Sequence, residues 1–158
     1  MIERLLIANR GEIARRIIRT CRELGVETVA VFSDADADAA FVQDADLSVA
    51  NGGVTPAESY LRIDALLEAA ARTGADAVHP GYGFLAENAP FAAAIADAGL
   101  VFVGPSPEVI AVMGSKLEAK RRMAGAGVPL LPSAELTDLD DPQVLAAADQ
   151  VGYPVLVK

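Results

Sequence analysis

Tryptophan is absent from this chain of 158 residues, and cysteine and histidine each occur once. A single cysteine cannot form an internal disulfide, nor can it supply the paired thiolates of a CxxC metal site. Cys21 follows Ile17 and Ile18 at helical spacing, which favours a buried and unreactive thiol. The composition therefore excludes a disulfide-stapled protein and a CxxC-type metal cluster.

Long uninterrupted apolar runs are also missing, although 53% of the residues are hydrophobic. A membrane-spanning helix needs about 20 consecutive apolar residues, and no segment has the apolar core of a secretory signal. Glu3, Arg4 and Arg10 interrupt the N-terminal apolar stretch. We therefore expect a soluble, cytoplasmic protein with a real core and no membrane partner.

Basic residues are scarce, since 13 of them face 22 acidic residues and leave a net charge of −9. This balance disfavours nucleic acid as a partner. The acidic blocks, such as residues 27–50, are interpreted as solvated loops. The basic segment around Lys116 stands out because the rest of the chain is acidic.

Apolar runs and helical patterns alternate along the first two thirds of the chain. The predicted strands cover residues 4–8, 28–32, 47–50, 76–78 and 100–103, and the predicted helices cover residues 12–24, 62–72 and 91–98. Such alternation is typical of an α/β fold, in which helices cover both faces of a parallel sheet. No GxGxxG follows the first strand and no GxxxxGK[ST] occurs, so a nicotinamide dehydrogenase is not favoured.

The pattern changes near Gly104. Further helices are predicted over residues 107–113, 116–124 and 142–150, and an apolar strand is predicted from Tyr153 onward. We expect one domain over residues 1–112, with residues 113–158 as a linker helix and the start of a second domain. Because a strand needs neighbours on its edges, we interpret the chain as a piece of a longer protein.

Polar residues and glycines follow the predicted strands, among them Asn9, Asn51, His79 and Gly104. Ligands of open parallel sheets bind beyond the carboxyl ends of the strands. Two glycines also bracket Tyr82, which lets the backbone approach a ligand closely. The alternative is a tight turn in which His79 makes a purely structural hydrogen bond.

Two lysines are candidates for binding an anion. Lys116 lies in the first turn of a predicted helix, where free backbone N–H groups favour a phosphate. Lys158 follows an apolar strand and would need a counter-ion, for which a nucleotide phosphate is one candidate. The alternative for Lys116 is an ordinary exposed lysine.

Charged residues also line the outer side of the first predicted helix. Arg15 and Arg19 are four residues apart, as are Arg19 and Glu23. This spacing fits pairing along a helix surface. A contact between copies of the protein is the second interpretation.

Five segments carry a resemblance to the N-terminal portion of the biotin carboxylase family. They are IANRGEIARRI at 7–17, SYLRI at 59–63, HPGYGFLAEN at 79–88, FVGPSPEVIAVMGSK at 102–116 and GYPVLVK at 152–158. The resemblance runs from end to end of the chain, and HPGYGFLAEN is its most specific part. It departs from the family in the acidic stretches at 34–40 and 135–142.

The resemblance implies a Rossmann-like pre-ATP-grasp domain, with helices on both faces of a parallel sheet, followed by the start of an ATP-grasp domain. It also implies roles for particular residues. Carried over position by position, these are ATP binding by Lys116 and Lys158, a biotin-facing loop at Tyr82 and Gly83, and a dimer contact at Arg16, Arg19 and Glu23.

The family reaction uses MgATP and bicarbonate to carboxylate biotin on a carrier, as the first half-reaction of an acyl-CoA carboxylase. The implied partners are the biotin carboxyl carrier, the carboxyltransferase and a second copy of the chain. The family's magnesium ligands and catalytic residues lie beyond residue 158, so the chain alone is expected to be inactive. Two alternatives are another ATP-grasp ligase, such as a purine-pathway carboxylase or a carbamoyl-phosphate synthase, and a binding or dimerisation module without catalysis.

Overall fold

A five-stranded sheet organises the first part of the chain in the computed structural model, which describes residues 1–136 and 140–157. Every neighbouring pair of strands is parallel, and the strand order is β3-β2-β1-β4-β5. The strands are β1 (Arg4–Ile7), β2 (Glu27–Phe32), β3 (Leu47–Ala50), β4 (Ala77–His79) and β5 (Val101–Phe102). The predicted parallel α/β fold is thereby confirmed.

Helices follow the strands and cover the sheet on both sides. Their bounds are α1 (Gly11–Leu24), α2 (Ala40–Asp44), α3 (Ile63–Thr73), α4 (Ala89–Asp97) and α5 (Pro107–Gly114). Single 3₁₀ turns occur at Asp34–Asp36 and Pro56–Glu58. The short helix α2 was not predicted, because it lies inside the acidic block that was interpreted as a solvated loop.

The core divides into two layers because side chains alternate along the strands. Leu6 of β1 belongs to the layer that contains Leu66 of α3 and Phe91 of α4. The next residue, Ile7, belongs to the layer that contains Ile18 of α1 and Phe41 of α2. Burial of these apolar side chains is the main stabilising contribution to this part of the protein.

Helix α1 ends where its sequence predicts. Gly25 adopts a left-handed φ of 70°, which residues other than glycine rarely tolerate. The N–H of Val26 then donates to the carbonyl of Cys21 at 2.9 Å, as in a Schellman motif. The chain reverses at this point and enters β2 beside β1.

The structure divides into two compact units, Met1–Ser115 and a second unit that begins at Lys116. The second unit contains α6 (Lys116–Gly125) and α7 (Asp141–Val151), and Asp140 caps α7 by accepting from the N–H of Gln143. The domain boundary that we expect after residue 112 stays a prediction.

The predicted strand near the end of the chain is wrong for the residues described there. Residues 153–157 have no strand structure. A strand exists only when a neighbouring strand satisfies its backbone groups, and no strand of the described chain pairs with this segment. Apolar composition predicted a strand but could not supply its partner.

Candidate functional site

The carboxyl ends of β1 and β4 lie side by side at the centre of the sheet. Pairing continues past β1, because the N–H of Ala8 donates to the carbonyl of His79 at 2.9 Å. Asn9 follows directly and is 1% exposed. The chain beyond β4 turns over Asn9 as residues 80–83, which we call the Tyr82 loop.

Asn9 holds the Tyr82 loop with its side-chain amide. Its Nδ2 donates to the carbonyl oxygen of Pro80 at 2.8 Å and to that of Tyr82 at 2.9 Å. Its Oδ1 accepts from the backbone N–H of Arg10 at 2.9 Å. Asn9 therefore connects the ends of two neighbouring strands, and the prediction that Asn9 and the loop share this edge is correct.

Gly81 allows the loop to lie this close to Asn9. Its φ is +65°, and an added Cβ would stand 2.7 Å from both Asn9 Nδ2 and Ile13 Cγ2. Its N–H donates to Nδ1 of His79 at 2.9 Å. Burial lowers the pKa of His79, so the imidazole is neutral at pH 7 and carries its proton on Nε2.

Tyr82 is exposed, and its hydroxyl donates to Glu12 Oε1 at 3.0 Å. The hydrogen bond to Glu12 and the charge of that carboxylate raise the pKa of Tyr82, so the phenol keeps its proton. Gly83 follows with a φ of +68°. The loop therefore presents an aromatic ring and a glycine peptide at the strand edge.

A second polar cluster lies at the ends of β1 and β2. Asp36 is 9% exposed, and its carboxylate pairs with the Arg10 guanidinium at 2.5 Å and accepts from the Tyr60 hydroxyl at 2.6 Å. The N–H of Ser33 donates to the Tyr60 oxygen at 3.1 Å. Interpretation of the acidic block as solvated loop is therefore wrong at Asp36.

Nothing in the sequence near Asp36 marked it out from its acidic neighbours. Its partners Arg10 and Tyr60 are distant in sequence, and only the fold brings them together. The Arg10 guanidinium also lies 5.8 Å from the centroid of the Tyr60 ring, within the range of a cation–π contact. The one available signal was that each of these residues follows a strand or a turn at the same edge.

Helix α1 exposes Arg16, Arg19 and Glu23. Two of them, Arg16 and Arg19, line a groove of about 540 Å³ that His79 and Tyr82 also line. None of the three side chains makes a hydrogen bond or ion pair within residues 1–136 and 140–157, whereas the Arg15 side chain on the same helix pairs with Asp44 at 2.5 Å. The sequence thus predicted the exposure of Arg19 and Glu23, and the structure adds the proximity of Arg16 and Arg19 to the Tyr82 loop.

The two candidate phosphate-binding lysines belong to the second unit. Lys116 is exposed and is the first residue of α6, as predicted. Lys158 lies outside the residues that the structure describes.

Metal-binding residues do not cluster in the described parts of the chain. No group of three or more histidine, cysteine, aspartate or glutamate side chains there could hold a metal ion. Over the same ranges, none of the helices combines the length and the apolar character that crossing a bilayer requires.

Comparison with known proteins shows to which family the chain belongs. Residues 1–110 match the family model described as "Biotin carboxylase, N-terminal domain". The chain belongs to the biotin carboxylase N-terminal domain family. The match contains the whole sheet, the Tyr82 loop and the charged side of α1, so these features belong to the biotin carboxylase part of the chain.

Curated biotin carboxylases align with the chain over its whole length. The protein from Halalkalibacterium halodurans is 51% identical over 158 residues, and the one from Pseudomonas aeruginosa is 53% identical over 160 residues. The alignment covers 100% of this chain and 35% of each relative. The chain therefore spans about a third of the length of these relatives.

A solved structure agrees with the fold. The biotin carboxylase domain of a thermophilic 2-oxoglutarate carboxylase, in a structure described as bound to bicarbonate, superposes with a TM-score of 0.91 at 43% identity. The superposition covers 100% of this chain and 35% of that one. The Rossmann-like α/β fold is thus shared with a biotin carboxylase domain.

Proposed function

We propose that the chain is the N-terminal part of an ATP-dependent biotin carboxylase, which carboxylates biotin with bicarbonate. The observation that carries this proposal is the end-to-end alignment with proteins named biotin carboxylase at about half identity. In this scheme residues 1–112 form the pre-ATP-grasp domain, and residues 113–158 begin the ATP-grasp domain.

Biotin is proposed to lie against the Tyr82 loop. The exposed ring of Tyr82 offers an apolar wall, and the close fit of Gly81 over Asn9 fixes the backbone beside it. A bicyclic ligand with a polar ureido edge suits an aromatic wall next to backbone hydrogen-bonding groups. Tyr82 and Gly83 are the residues assigned to this contact.

ATP is proposed to contact Lys116 and Lys158. Lys116 is the first residue of α6, so its positive charge belongs to the N-terminal turn of a helix. A cation and a helix N-terminus both favour a phosphate. During phosphoryl transfer the negative charge on the phosphate oxygens must be stabilised, which is the role given to these lysines.

Magnesium is needed by the proposed reaction, but the described residues contain no cluster that fits it. We assign no magnesium ligand to this chain and derive no step through the metal. The part played by this chain is to bind biotin and the nucleotide phosphates. The cytoplasmic location expected from the sequence stays a prediction.

The partners are proposed to be a biotin carboxyl carrier and a carboxyltransferase. Several relatives are named as subunits of larger carboxylases, among them those of a pyruvate carboxylase from Methanothermobacter thermautotrophicus and of a methylcrotonoyl-CoA carboxylase from Arabidopsis thaliana. A second copy of the chain is also proposed as a partner, through Arg16, Arg19 and Glu23 on α1.

The test is ADP release by a protein that contains this chain and has the length of its relatives. We expect release that depends on both bicarbonate and biotin. ADP release that does not depend on biotin would favour another ATP-grasp ligase and overturn the proposal. Binding of ATP without turnover would favour a binding module instead.

A further inference from the structure

We propose that Asn9 is a positioning residue whose side-chain amide holds the Tyr82 loop in the conformation that receives substrate. The substrate concerned is biotin, so this role rests on the function proposed above. Asn9 itself is buried beneath the loop and is 1% exposed. It acts through the loop backbone and makes no contact with the substrate.

The hydrogen bonds of Asn9 require an amide. Both Nδ2 protons are used, one on the carbonyl of Pro80 and one on the carbonyl of Tyr82. Its Oδ1 accepts from the N–H of Arg10. A carboxylate could replace only the acceptor, and it would face two carbonyl oxygens with no proton to donate.

This arrangement decides which groups of the loop face outward. The carbonyl of Tyr82 points inward at Asn9, and the N–H of Gly83 belongs to the same peptide plane. In a trans peptide the two groups point in opposite directions, so the Gly83 N–H points away from Asn9. It has no acceptor within the described ranges of the chain, so it is available to a ligand oxygen.

Gly81 supports the same conclusion from the side of the loop. A methyl group at this position would stand 2.7 Å from Asn9 Nδ2 and would push the loop away from the amide. The two residues therefore act together. Gly81 permits the loop to lie close to Asn9, and the Asn9 amide holds the loop there by hydrogen bonds.

The first test needs no substitution. In the wild-type chain we expect slow exchange of both Asn9 Nδ2 protons and through-hydrogen-bond NMR couplings from Nδ2 to the carbonyl carbons of Pro80 and Tyr82. Asn88 is the internal reference, because its Oδ1 caps α4 while its Nδ2 makes no hydrogen bond in the described structure. Absence of the couplings, with exchange as fast as that of Asn88, would overturn the role of Asn9.

The second test compares Asn9→Asp with Asn88→Asp in the carboxylase that contains this chain. Asn9→Asp loses two hydrogen bonds and gains repulsion, so kcat/KM for biotin should fall about tenfold or more. KM for ATP should stay within about twofold, because the loop is assigned to biotin and the nucleotide to Lys116 and Lys158. Asn88→Asp keeps its acceptor oxygen, and both constants should stay within about twofold.

If Asn9→Asp does not fold, the variant Gly81→Ala tests the positioning role instead. It should lower kcat/KM for biotin and leave KM for ATP unchanged, since it disturbs the loop with Asn9 intact. Unchanged biotin kinetics in a folded variant would overturn the positioning role. A wild-type enzyme without biotin-dependent turnover would instead overturn the proposed function, and the NMR result would still decide whether Asn9 holds the loop.

Discussion

Asp36 is a buried carboxylate, and its hydrogen-bond partners stabilise its charged form by more than burial destabilises that form. Burial acts to raise the pKa of Asp36, but hydrogen bonds from Arg10 and Tyr60 lower that pKa below the ordinary value. The folded protein therefore binds this proton more weakly than the unfolded chain does. The resulting stabilisation is present above the unfolded pKa and is lost as the pH falls through the lowered pKa.

Replacement of Asp36 by asparagine should therefore destabilise the protein at neutral pH. We expect a loss of about 1–3 kcal/mol in the free energy of unfolding, because the charged partner of Arg10 is removed from a mostly buried site. Urea unfolding at pH 7 measures this loss, and the difference from wild type should shrink in acid. Asp38→Asn is the control, since Asp38 is exposed on the same loop. Equal losses in both variants would contradict the role of the buried pair.

Lys116 is tested by replacing its ammonium group with a neutral amide. In the carboxylase, Lys116→Gln should raise KM for ATP about tenfold to a hundredfold and change KM for biotin much less, because a charge-assisted phosphate contact is lost. Lys158→Gln should act in the same way. Lys120→Gln is the control one turn further along α6, away from the N-terminal end of the helix. ATP kinetics like those of the control would remove both lysines from the nucleotide site.

At the scale of elements, α1 contacts the Tyr82 loop at its N-terminus and exposes charged residues on its outer side. Its N-terminal Glu12 accepts from the Tyr82 hydroxyl, and its outer side exposes Arg16, Arg19 and Glu23. If this side forms the proposed dimer, Arg19→Glu should place like charges across the interface. The dissociation constant of the dimer should then rise about tenfold or more, as measured by sedimentation of the carboxylase.

A charge reversal on a different helix controls for the change in net charge. Arg72→Glu on α3 removes the one ion pair that Arg72 makes among the described residues, with Glu68 at 3.7 Å. Dimerisation of this variant should match that of wild type. Identical sedimentation of the Arg19 and Arg72 variants would refute the contact on α1.

Most elements of the sheet could be predicted because their apolar spacing is independent of distant residues. The strands β1 to β5 and the helices α1, α3 and α4 were found close to their predicted bounds. The helix α2 escaped prediction because it has only five residues, and a single buried side chain, Phe41, fixes it to the core. The strand predicted near Tyr153 failed for the opposite reason, since its apolar pattern is local and no strand among the described residues pairs with it.

The candidate site was predictable in position but not in its hydrogen bonds. Asn9 and His79 were expected at one edge because each follows or ends a parallel strand. The bonds from Asn9 to the loop join residues 71 and 73 positions apart, and no local pattern reports them. The burial of Asp36 depends in the same way on Tyr60, which is 24 residues away.

At the scale of the whole molecule, the chain by itself should bind phosphate groups without turning over ATP. The chain spans about a third of the length of its relatives, and the family resemblance implies that the magnesium ligands and catalytic residues lie beyond residue 158. Phosphoryl transfer depends on positioning of the phosphates by metal and protein together. ADP release by the purified chain should therefore equal the background with or without biotin and bicarbonate. Biotin-dependent release by the chain alone would show that catalytic residues lie within it.

The strand order places β1 between β2 and β4, so the first strand to be made is the central one. A ribosome that adds about 5–20 residues per second finishes β1 several seconds before the chain reaches β4. During that interval one edge of β1 has its partner in β2, while the other edge and the Asn9 Nδ2 group lack their partners in β4 and the Tyr82 loop. Formation of the Asn9 bonds thus marks the joining of β4 to β1 during synthesis, before β5 is added, and a nascent chain stalled before residue 80 would expose this half-finished edge to chaperones.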